Sequence, residues 1–202
     1  MILDAGVSIR KINYSIMLKT GVVNAMALGA IGPLFVIFAE GLSGSIGNLM
    51  LAVGLSGIAD AITSLFAGRL SDRFGRKLFI VGGGFIQSAV FVGYAFVDSA
   101  FELYALQVIL GVNYAMLFTS VDAFMADNTE AETRGRQMGN RDAATGIAAS
   151  LTGIVGGQFL DKGIIGFETI FFIIAFALFV SNIFRLVHLR EEKCIVKRAS
   201  HL

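Results

Sequence analysis

Six long apolar runs, broken by short charged segments, constrain this 202-residue chain more than any other feature. They set helices at about 14–39 (most apolar from Gly21 to Ala39), 46–67, 78–97, 101–125, 140–160 and 164–187, followed by a tail over 188–202. At 1.5 Å per residue, a run of about 18 residues or more crosses roughly 30 Å of hydrocarbon. The runs lack two-residue alternation and are rich in Ala, Gly and Leu, so membrane strands do not fit. The expected fold is an all-α integral membrane protein, one six-helix domain over residues 1–202, with the lipid bilayer as its first partner. The first run begins about 20 residues in and has no cleavage site after Ala39, so it is expected to be retained rather than removed as a signal peptide.

Composition excludes other classes. Apolar residues make up 55% before the 24 glycines are added, and charged residues only 15%, against about 25% in soluble domains. A net charge of +1 implies no nucleic acid or other bulk polyanion as partner. Cys194 has no partner for an internal disulfide, and His188 and His201 form no metal cluster, so no metal or cofactor is expected. Phosphate-binding, nucleophile-elbow and zinc-helix motifs are missing, so neither is an enzyme.

The basic residues orient the chain. Arg10, Lys11 and Lys19 lie at the N-terminal end. Arg69, Arg73, Arg76 and Lys77 fill the second break, and Arg134, Arg136 and Arg141 the fourth. Arg185, Arg190, Lys193, Lys197 and Arg198 fall in the C-terminal tail. Those fifteen share one side, and only Lys162 falls on the other, so the positive-inside rule makes both termini cytoplasmic in a cell membrane. The sequon-like Asn13-Tyr14-Ser15 then has no meaning for glycosylation. The opposite breaks carry Glu40, Asp98 and Asp161, and a turn as short as Asp98-Ser99-Ala100 makes its helices antiparallel neighbours.

The second break reads G-R-L-S-D-R-F-G-R-K from Gly68 to Lys77. Gly68 suits a close approach of helix ends and Gly75 a tight reversal. Asp72 is expected at the N-terminus of the third helix, where the macrodipole favours an anion. Arg73, Arg76 and Lys77 anchor to headgroups or pair with acids from another break. After the fourth run, Ala126 to Gly139 reads A-D-N-T-E-A-E-T-R-G-R-Q-M-G. Thr129 to Glu132 there is also a candidate helix cap.

These segments resemble the major facilitator superfamily of secondary transporters. Gly68, Leu70, Asp72, Arg73, Gly75, Arg76 and Lys77 fit its cytoplasmic signature between the second and third helices, and Asp127, Arg134, Gly135, Arg136 and Gly139 fit the second segment. The resemblance implies a latch that stabilises the outward-facing state, with Asp127 paired to Arg73 or Arg76. A simple topological anchor is the alternative. Pro33 is expected to kink the first helix in mid-membrane. Two departures argue against proton-coupled drug antiport: Gln107 stands four residues before Gly111 where exporters carry arginine, and Thr152 to Gly157 lacks the proline of antiporters. The family has twelve helices in two halves, and the resemblance accounts for the first half. A homodimer, a separate second half, a truncated or split gene product, and a non-transporting accessory protein are the alternatives.

Ionisable and amide groups within the runs are costly in lipid, so they face a partner or a cavity. Asn24, Asp60, Gln107 and Asp122 are the candidate pathway residues for a small-molecule or ion substrate. Gln107, Gly111, Ala115, Phe118 and Asp122 fall on one helical face. Interhelical hydrogen bonds are the alternative for each. Small-residue stripes at Gly54, Gly57, Ala61, Ser64 and Gly68, and at Ala149, Gly153 and Gly157, mark close helix contacts, either within this half or with another subunit. The expected function is secondary active transport by alternating access, by this chain as a transporter or half-transporter.

Overall fold

A computed structural model describes residues 2–29, 32–162 and 166–190. The described residues are helical and contain no strand. They form α1 (Ile2–Gly29), α2 (Gly32–Ser43), α3 (Ile46–Phe74), α4 (Arg76–Tyr94), α5 (Ala100–Asp127), α6 (Arg134–Asp161) and α7 (Phe167–His188). Five of these, α3 to α7, are long and apolar enough to cross a membrane, and α1 with α2 make a sixth if the bent pair is one span.

The described part of the first apolar run lies in α1 and α2. The axes of α1 and α2 differ by 46°. Pro33 falls in the first turn of α2, where a residue without an N–H fits best because those donors have no intrahelical acceptor.

Several helices outrun their apolar sequence. α3 continues seven residues past Ala67 to Phe74. α6 starts at Arg134, six residues before the expected 140. At 29 residues, α3 is about 43 Å long and exceeds the hydrocarbon thickness. Polar helix at its end needs no apolar sequence. Only Gly75 separates α3 from α4, and its φ of +100° lies where a side chain is strained. Ser45 and Ser99 cap α3 and α5, their hydroxyls accepting from the N–H groups of Asn48 and Glu102. Thr133 caps α6 without a side-chain hydrogen bond, so the cap expected at Thr129–Glu132 is not formed.

α5 runs through the centre of the packing. α3 and α4 lie against it, α7 packs on α4, and α1 packs on α6 and α7. In the two closest backbone contacts only glycine fits. A Cβ on Gly111 of α5 would lie 2.1 Å from the Ser56 carbonyl oxygen of α3, and one on Gly29 of α1 would lie 2.3 Å from that of Ala149 in α6. Gly153 closes on the Gly29 carbonyl as well. Ala149 and Gly153 thus serve packing inside this bundle. Gly54, Gly57, Ala61 and Ser64 instead point away from it and are exposed.

Two apolar clusters fill the interior. One joins Leu34, Phe91, Tyr94, Leu103, Phe171 and Leu178, and the other Ile16, Met17, Ile80, Leu117, Phe124 and Met125. The outside is equally apolar. Leu65, Phe176 and Val187 are 71%, 70% and 67% exposed, a pattern suited to lipid and costly in water.

Candidate functional site

The expected basic breaks meet at one end of the bundle. Arg76, first residue of α4, donates to the Asp127 carboxylate and the Ala123 carbonyl at the end of α5. It also pairs with Asp72 at 3.1 Å. Of the two expected partners for Asp127, Arg76 is the one engaged, and Arg73 lies 5.4 Å over the Phe74 ring. Asp72 occupies the last turn of α3, not the first turn of the next helix. A carboxylate at a helix C-terminus is disfavoured by the dipole, and the i,i+4 spacing to Arg76 across Gly75 supplies the counter-charge. Gly68 is likewise helical, and a Cβ there would meet only Thr119 at an ordinary 3.9 Å. Leu70 is 39% exposed. Arg134 donates to Thr129 Oγ1 at 3.3 Å, and Arg136 lines a cleft of about 290 Å³ with Arg10, Lys11 and Glu130.

Two residues outside the signature draw the remaining ends in. Lys77 Nζ donates to the Leu189 carbonyl at 2.7 Å, just past α7. Asn13 of α1 is fully buried, donates to Asn128 Oδ1 (2.8 Å) and the Arg190 carbonyl (2.9 Å), and accepts from Arg190 N (3.2 Å). The sequon asparagine is thus a buried junction between α1, α5 and α7. Its sequence signal was misleading, because the only cue was a glycosylation pattern.

The four pathway candidates separate. Asn24 borders a cleft of about 200 Å³ enclosed by α1, α4, α5, α6 and α7. With its amide oriented to suit its neighbours, it accepts from both Arg185 Nη atoms at 3.1 and 3.2 Å and donates to Ser181 Oγ at 2.9 Å. Asp122 pairs at 3.0 Å with Arg141, which lines the same cleft. Gln107 is buried, with Gly111 and Ala115, whereas Phe118 and Asp122 are exposed. The expected single face is therefore divided, its outer part spent on packing against α3. Asp60 lies on half-buried α3 surface outside this cleft, fourteen residues from the helix end, about 21 Å at 1.5 Å per residue.

Sequence reasoning missed Arg185. It was counted with the tail, yet it lies within α7, is 3% exposed, and donates from Nε to Thr20 Oγ1 at 2.8 Å. Gln87 was also missed. It is buried on α4 and lines the same cleft. A signal existed for both, since each sits among apolar residues where a polar group demands a reason.

Comparison with known proteins agrees with the architecture. The family profile of the Major Facilitator Superfamily matches residues 18–199. The chain is 32% identical over 121 residues to Uncharacterized MFS-type transporter YhjO of Bacillus subtilis (strain 168), covering 58% of this chain and 30% of that protein. It is 28% identical over 142 residues to Multi-drug resistance efflux pump PmrA of Streptococcus pneumoniae serotype 4, covering 70% and 35%. It is 25% identical over 135 residues to Uncharacterized MFS-type transporter YitZ of Bacillus subtilis (strain 168), covering 67% and 82%. The chain spans about a third of the length of the first two relatives. The family is one of transporters, not enzymes. With long apolar helices, a lipid-suited exterior and the paired Arg76–Asp127 junction, the chain is a multi-pass membrane protein that belongs to the Major Facilitator Superfamily.

Proposed function

We propose that this chain is one six-helix half of a secondary transporter, residing in the cell membrane with both termini in the cytoplasm. It moves a small solute by alternating access once a second half, or a second copy, completes the central route. The Arg76–Asp127 pair carries this reading. It ties the α3–α4 junction to the end of α5 and so holds together the basic face of the half that rocks against its partner. The unpartnered small-residue stripe on α3 supports a second half, because packing drives helix association in lipid. Drug efflux, the activity in PmrA's name, is not carried over to this chain, since Gln107 and the proline-free α6 depart from exporter patterns.

The test is uptake by proteoliposomes under imposed proton or sodium gradients, using isotope-labelled small anions, neutral solutes and cations. Solute uptake above protein-free liposomes, reduced at least tenfold in Arg76→Gln with insertion unchanged, is the expected result. A non-transporting membrane protein is the second reading. It wins if cross-linking in membranes finds only monomer and no solute enters.

A further inference from the structure

We propose that the cleft between α1, α4, α5, α6 and α7 is an anion-binding site built on Arg185, and that it takes a compact organic carboxylate. As a statement of substrate class, this rests on the carrier reading above. As a statement about binding, it stands on the geometry alone.

The argument is a balance of donors and charges. A guanidinium has five N–H donors. In Arg185 one goes to Thr20 Oγ1, and one from each Nη goes to the Asn24 oxygen. The other two have no protein acceptor among the described residues. Both acceptors in use are neutral. Asp122, the carboxylate at the edge of the cleft, is held by Arg141. That pair cancels, and Arg185 is left as a buried cation without a counter-ion among the described residues. An uncompensated buried charge costs several kcal/mol.

A second buried amide lines the same space. Gln87 is 1% exposed and lines the cleft, and its Nε2 has no acceptor in hydrogen-bonding geometry, although its amide interacts with the Tyr114 hydroxyl. Donors thus outnumber acceptors around about 200 Å³ of space. A carboxylate supplies two acceptor oxygens and the missing negative charge, and its planar fork matches a guanidinium. The remaining wall is apolar, with Met17, Leu28, Leu117 and Val121, which suits a small hydrocarbon body. A cation is opposed by the local charge.

The test uses the purified full-length chain in detergent at fixed ionic strength. Thermal unfolding is followed with benzoate, acetate and phenylphosphonate, and with benzamide and benzylammonium as neutral and cationic counterparts. The expected result is saturable stabilisation by benzoate, at least tenfold stronger in apparent affinity than by benzamide, and absent with benzylammonium. Arg185→Gln should weaken benzoate at least tenfold, and Gln87→Leu several-fold. If Arg185→Gln does not fold, the ligand series on the unaltered chain decides. Equal stabilisation by benzamide, no stabilisation by any of the three anions, or unchanged benzoate affinity in a folded Arg185→Gln overturns the proposal. Benzoate-specific binding without uptake into proteoliposomes supports the site and removes the carrier reading. Uptake without anion-specific binding does the reverse.

Discussion

The two ends of the bundle are held by different chemistry. At the basic end, Arg76, Asp127, Asp72, Lys77, Asn13 and Asn128 join five helices through ion pairs and hydrogen bonds. At the other end, Phe35, Phe38, Phe91, Tyr94, Phe167 and Phe171 interlock, with ring centroids 4.8 to 5.7 Å apart among most neighbouring pairs. Aromatic contact is short-ranged and depends on a fixed shape. Polar contacts at the water boundary are exchanged for water at small net cost. The lesson is mechanical: one end resists separation through packing, while the other combines the exposed Arg76–Asp127 pair, which solvent can replace, with the buried Asn13–Asn128 bond, which it cannot.

Removing a ring at the aromatic end should have the largest effect. Phe171 is 1% exposed and touches both Phe38 and Tyr94. Phe171→Ala should cost about 3 kcal/mol, read by denaturant titration of the detergent-solubilised chain. Asn13→Ala comes next. It leaves the Asn128 side chain and the Arg190 backbone short of buried partners and should cost about 1–3 kcal/mol in the same titration. Arg76→Gln should have the smallest effect on stability. Asp127 is 58% exposed, so water screens the pair and the loss should stay below about 1 kcal/mol. Raising the salt should erase that last difference while leaving the Phe171→Ala difference intact. If Arg76→Gln proved as destabilising as Phe171→Ala, the contrast between the two ends would fail.

Much of the fold was legible because lipid-facing helices advertise themselves. The expected 101–125 became Ala100–Asp127, and 46–67 was extended only where the sequence turned polar. The pairing of Asp127 with the second break was legible through the resemblance. Choosing Arg76 over Arg73 was not, because the choice depends on the rotation of α3 and α4 about Gly75. Arg185 was misplaced for a similar reason. Hydropathy counts a basic residue near a helix end as tail, whereas its burial is decided by Thr20 and Asn24, about 160 positions earlier.

By itself, then, the order of residues determined that most of this polypeptide is helix suited to lipid, with its cations gathered toward alternate breaks. Those properties follow from local hydropathy and from the cost of leaving charge in hydrocarbon. Only the tertiary structure decided which cations are neutralised and which are not. Arg76 and Arg141 meet carboxylates, and among the described residues Arg185 meets only neutral oxygens. Such pairings depend on the positions of side chains from distant helices to within an ångström, and no periodicity along the chain encodes them.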